Sequence, residues 1–162
     1  MEKVIDKIST YNFFNYLLPG VLFVIFAKSF VPFNFIQGDI VLDVFLYYFI
    51  GLVISRFGSL VIEYLLKKFK FIHFAKHKDF ICVSKDDPKL EIFSEENNMY
   101  RTLVSLFTLL LLSKLYLYIE SLYPQIQPWN LHIVIVLLLV LFLYSYRKQT
   151  LYIFKRINPE EI

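Results

Sequence analysis

The chain has 162 residues, of which 17 are Lys or Arg and 14 are Asp or Glu, giving a formal net charge of +3; 57% of it is hydrophobic and 19% aromatic. With a mean hydropathy of +0.56, it is too apolar for an ordinary soluble domain and long enough for one membrane bundle. Cys82 is the one cysteine in the sequence, which excludes an intrachain disulfide and a Cys-based zinc site.

At the start, Glu2–Ser9 places Val4, Ile5 and Ile8 on one helical face and charges on the other, the pattern of a short helix on a membrane surface. The charged Met1–Asn15 stretch leads into a full-length apolar segment with no small-residue cleavage site, so the first span is expected to be retained. Four apolar segments follow at Phe13–Val31, Ile40–Leu66, Thr102–Tyr118 and Leu131–Tyr146. With their flanks each reaches the ~17–25 residues that a helix needs to cross a bilayer. Pro19-Gly20 lies inside the first, where the missing amide and the ring crowd the preceding turn and predict a kink or break. The second is free of proline through Phe71 and would run ~48 Å as one helix, more than a bilayer core.

Between the second and third spans, residues 67–101 form a polar insertion too small to hold a core of its own. Asp79–Ser84 is strand-like in its β-branched content. Asp86-Asp87-Pro88 spells an N-cap followed by proline, starting a short turn over Lys89–Phe93, and Ser94-Glu95-Glu96 spells the start of the third long helix. His73 and His77 stand four apart, a spacing compatible with a metal on a helix. No third acidic ligand accompanies them, so no metal or other cofactor is expected. The fold class is therefore all-α: a polytopic four-helix transmembrane bundle with an N-terminal interfacial helix and a small cytosolic insertion.

Cations set the orientation, because positive loops stay on the cytoplasmic side. Fourteen of the 17 lie before the first span, between the second and third, or after the fourth. The opposite connections, Pro32–Asp39 and Ile119–Asn130, contain none, which places both termini in the cytosol. Clusters of tyrosine near span ends, Tyr47, Tyr48, Tyr116 and Tyr144 among them, are the ordinary interfacial belt.

Candidate functional residues are the polar groups at or inside the membrane boundary. Asn12 and Asn15 precede Pro19 and need partners. Arg56 sits in Gly51-Leu-Val-Ile-Ser-Arg-Phe-Gly-Ser, where small residues permit close helix approach. Glu63 follows seven residues later, ~10 Å along the axis and too far for a direct pair, but able to reach a polar seam on a neighbouring helix. Asn98, Tyr100 and Arg101 gather at the base of the third helix near the depth expected of Arg56. These seven are contacts for oligomerisation, gating or a partner; none completes a nucleophile, phosphate-loop or paired-carboxylate pattern, so catalysis is not expected.

Together, Tyr11-Asn-Phe-Phe-Asn-Tyr-Leu-Leu-Pro-Gly, Ser55-Arg-Phe-Gly-Ser and Glu96-Asn-Asn-Met-Tyr-Arg resemble small four-span bacterial inner-membrane proteins encoded with antiphage defence systems. That group includes the Kiwa transmembrane subunit and membrane effectors of nucleotide-signalling systems. The resemblance implies a homo-oligomeric sensor or effector that works with a cytosolic protein partner on the lipid bilayer. Unlike ligand-responsive members, this chain carries no folded cytosolic sensory domain, so direct binding of nucleotide or nucleic acid is not expected. A non-conducting scaffold tethering a cytosolic enzyme, or a small channel or transporter subunit, is the alternative.

Overall fold

The computed structural model describes residues 11–30, 38–75, 77–84, 87 and 89–157. The expected surface helix Glu2–Ser9 lies outside them, as do Val31, Lys76, Lys85, Asp86 and Pro88. Among the described residues all regular structure is helical. Helix α1 joins a π turn at Phe13–Leu17 to an α-helix at Leu18–Phe30. Helix α2 runs through Ile40–Lys68 with a π turn at Gly58–Ile62; α3 is His77–Ser84; α4 is Lys89–Leu122; and a 3-10 segment at Pro124–Trp129 leads into α5, Asn130–Ile157.

Three of these, α2, α4 and α5 with its 3-10 lead-in, are long and apolar enough to cross a membrane. The apolar stretch Phe13–Ser29 of α1 is shorter. Their outward faces are apolar: Phe45, Leu111, Leu131 and Leu137 are each more than 60% exposed, and α5 has no buried residue, which suggests a membrane protein. Apolar patches of that extent in water mark aggregation or a membrane, and in lipid every helical backbone group is already satisfied.

Because lipid tails are as apolar as leucine, the helices associate through close packing rather than apolar transfer. Helices α1 and α2 run antiparallel and touch backbone to backbone. A Cβ on Gly20 would collide with the Tyr47 carbonyl, and one on Gly51 with the Tyr16 carbonyl. Helix α4 closes the other side, with Ala27, Ile54, Leu106 and Leu110 forming the apolar centre. Gly58 lies against Ser105 of α4. The small residues expected to permit close helix approach, Gly51, Ser55 and Gly58, are thus buried inside one chain. Helix α5 packs on α2, where Phe49 and Phe142 bring their rings within 6.1 Å.

At Pro19-Gly20 the chain stays helical rather than breaking: the Leu18 amide bonds the Phe13 carbonyl five residues back, a π turn just upstream of the ring and a recognised cause of helix bending. Two further expectations are corrected. Asp79–Ser84 belongs to helix α3 rather than a strand; Ile81 and Val83 supply only a propensity, which does not prevail where no neighbouring strand is present among the described residues. Helix α4 begins at Lys89 rather than at Ser94. The Asp87 carboxylate accepts from the Lys89 amide at 2.9 Å, and nothing between Lys89 and Arg101 is a Gly or Pro that would stop the helix. Residues 89–101 of the expected insertion are therefore the first turns of α4, which at 34 residues is ~51 Å long and extends past a bilayer core.

Gly51→Ala is expected to lower stability by about 2 kcal/mol, because the new methyl meets fixed backbone. Gly58→Ala should cost less, since its neighbour is the rotatable Ser105 hydroxyl. Unfolding midpoints of the two variants in mild detergent check the order.

Candidate functional site

A carboxylate in helix α2 gathers cations from three helices. Glu63 is buried at 7% exposure, and an ionised acid there is costly unless it is paired and hydrogen-bonded. Lys67, one turn on, donates to Oε1 at 2.7 Å. Arg101 of α4 donates from Nη1 to Oε2 at 3.0 Å, and Lys148 of α5 brings its ammonium to 3.7 Å from the same oxygen. The Lys67 ammonium also lies 4.2 Å from the centre of the Phe74 ring, a cation–π contact from the segment after α2.

The π turn beside Glu63 prepares the Lys148 contact. The Glu63 amide bonds the Gly58 carbonyl instead of the Ser59 carbonyl, which in an α-helix would be its partner. That leaves the Ser59 carbonyl turned outward, and Lys148 Nζ donates to it at 2.7 Å and to Ser59 Oγ at 2.8 Å. A π turn at a functional position commonly re-aims backbone groups in this way. Here it fastens α5 to α2 at a point where α5 buries little else.

A second polar group lies at the opposite end. Tyr116 Oη donates to Asn130 Oδ1 at 2.6 Å, and Asn130 Nδ2 donates to Glu120 Oε1 at 2.7 Å. These bonds close the α4–α5 hairpin, so Tyr116 does more than belong to an interfacial belt. Asp39 caps α2 at the same end, accepting from the Val41 and Leu42 amides.

Of the residues singled out by sequence, Glu63 and Arg101 meet directly. Arg56 is half-buried and lies within electrostatic reach of Tyr11, at the same end of the bundle. Burial and the Tyr16 phenol push the Tyr11 phenol above its ordinary value, while Arg101 and Arg56 act in the opposite sense. Asn15 is buried; its Nδ2 donates to the Tyr11 carbonyl at 3.2 Å, while its Oδ1 and Arg101 Nε find no hydrogen-bond partner among the described residues. Asn12 makes no capping bond. The Asn98 carbonyl accepts from the Thr102 hydroxyl at 2.8 Å, and Tyr100 is exposed, so neither joins the cluster. His73 lies in the coil before α3, so the four-residue spacing to His77 is not a helical pair.

Comparison with known protein families, curated proteins and solved structures finds no match to this chain.

Sequence reasoning missed Lys148 and Ser59 as members of the cluster, because Lys148 stands among four cations after the last span and is 89 residues from Ser59. The usable signal was an acid, Glu63, inside an apolar segment, which requires more than one partner. Glu63→Gln is expected to destabilise the protein by about 3 kcal/mol, because it leaves three cations facing one another without their counter-charge. Exposed Glu96→Gln should stay within about 0.5 kcal/mol. Thermal unfolding of both in the same detergent tests the contrast.

Proposed function

We propose that the chain is a four-span bacterial inner-membrane protein with both termini in the cytosol, acting as a sensor or effector of antiphage defence without catalytic chemistry of its own. In this reading α1 is the fourth span. Its antiparallel contact with α2 and the place of Ala27 in the apolar centre support a shared depth in the bilayer. The distribution of lysine and arginine supports the orientation.

One observation carries the mechanism: the ion cluster on Glu63 joins α2, α4 and α5 at the end where α3 and the first turns of α4 extend beyond the apolar region. A cytosolic partner engaging residues 69–101 would act on the base of α4 and so on Arg101. Movement of Arg101 is passed to Glu63, the acid it shares with Lys148, and so loosens α5, whose apolar face is then free to repack against lipid or another copy and to perturb the membrane. Oligomerisation would use α5, since the small-residue stripe of α2 is occupied within the chain.

A scaffold is favoured by a different observation. The apolar centre, Ala27, Ile54, Leu106 and Leu110, separates the polar clusters at the two ends, so the described residues of a single copy offer no continuous polar path through the bundle. Induction with and without phage, read by a potential-sensitive dye, separates the readings. An effector depolarises the membrane on infection and loses this with Arg101→Ala, while insertion is kept. A scaffold leaves the potential unchanged.

The topology has its own test. A fluorescent or alkaline phosphatase reporter fused after Ile162 is expected to report the cytosol, and activity only outside it would overturn the orientation.

A further inference from the structure

The cluster at Glu63 contains more positive charge than its acid compensates. Lys67, Arg101 and Lys148 converge on one carboxylate, and among the described residues no second acid forms a salt bridge with them. Among the described residues the salt bridges of this cluster thus hold three cations to one acid, at the edge of an apolar bundle where low dielectric strengthens attraction for an anion.

The excess is not sealed. A groove opens between α2 and α5, lined by Ser59, Glu63, Tyr64, Lys67, Lys148 and Tyr152 among others. Both Glu63 oxygens are already taken by shorter contacts, Oε1 by Lys67 and Oε2 by Arg101. Lys148 directs two hydrogen bonds to Ser59, and at 3.7 Å the carboxylate is beyond hydrogen-bond length. The Lys148 ammonium stands at the groove wall, 5.8 Å from the centre of the Tyr152 ring. Lys67 is 46% exposed in its side chain and spends one donor on Glu63. Tyr64 and Tyr152 are exposed at the groove and carry phenolic donors. A metal ion would be repelled by this set, whereas a phosphate oxygen would find converging cations and hydroxyls.

We infer that this groove binds phosphate, and that its occupant is the phosphodiester of an anionic lipid in the adjoining leaflet. The groove lies between two helices whose exposed faces are apolar, at the end where the apolar spans give way to lysine and tyrosine, which is the depth of a headgroup. Bound lipid neutralises part of the excess charge and tightens α5 against α2 at the Lys148–Ser59 junction. The inference rests on the membrane-embedded reading of the chain and is independent of the sensor or scaffold assignment.

The experiment uses the purified full chain in a mild neutral detergent, titrated with short-chain phosphatidylglycerol, phosphatidylcholine or inorganic phosphate and read by native mass spectrometry. Phosphatidylglycerol is expected to be retained at least about tenfold more tightly than phosphatidylcholine. Lys67→Gln and Lys148→Gln should each weaken it about tenfold, equivalent to about 1.4 kcal/mol, while Lys89→Gln at the start of α4 leaves it unchanged. Displacement of the lipid by equimolar inorganic phosphate would overturn the lipid assignment and give the site to a soluble phosphate. Equal retention of the two lipids, or wild-type binding by Lys67→Gln, would overturn the site itself. Should Lys148→Gln fail to fold, Lys67→Gln and Tyr64→Phe decide the matter, since both positions are on the surface. Solubility of the chain without detergent would contradict the membrane reading separately.

Discussion

A buried carboxylate inside an apolar helix leaves a bundle little freedom. Glu63 lies in the last turns of α2, which runs from Ile40 to Lys68, and the cost of an unpaired buried charge there exceeds what most single contacts return. The bundle meets the demand by bringing one cation from the same helix and one from each of two others to the same two oxygens. That convergence sets the register of α4 and α5 against α2. Helix α5 depends on it most, having no buried residue of its own.

The rest of the architecture uses the opposite strategy. Where no charge needs a partner, α1 and α2 approach until backbone meets backbone, through Gly20 and Gly51, the arrangement that gives dispersion forces their best return in lipid. Polar clusters stand at the two ends, the Glu63 cluster at one and the Tyr116, Asn130 and Glu120 clasp with the Asp39 cap at the other, while Thr108 and Ser113 between them bond carbonyls of their own helix. Between them lies the apolar centre of Ala27, Ile54, Leu106 and Leu110. The two π turns belong to this division of labour. One lets Pro19 sit in a continuous helix, and the other frees the Ser59 carbonyl for Lys148.

Much of the fold was legible as period and length, since an uninterrupted apolar stretch near 20 residues has few alternatives to a helix in lipid. Less visible were features that depend on one hydrogen bond shifting by one residue. No composition distinguishes a π turn at Gly58–Ile62 from ordinary helix. Asp79–Ser84 was misread because Ile81 and Val83 weigh toward a strand locally, whereas strand formation needs a partner that sequence does not display. Helix α4 was begun too late because Ser94-Glu95-Glu96 is a good helix start, and an earlier one at Asp87 served first. At the site, Glu63 was legible as a charge seeking a neighbouring helix, and Arg101 as a candidate near the depth of Arg56 rather than as its partner. Lys148 was hidden, because the cations that orient a membrane protein and the one that fastens its last helix are the same residue types in the same place.

The claim that one acid ties three helices together is tested most directly by double-mutant cycles. Glu63→Gln would be combined in turn with Arg101→Gln and with Lys148→Gln, and unfolding free energies measured in detergent. Each cycle is expected to return a coupling of about 1–2 kcal/mol, because removing the acid and one of its cations together relieves part of the charge that either single change leaves unpaired. Additivity within about 0.3 kcal/mol in both cycles, in a chain that still inserts, would contradict it.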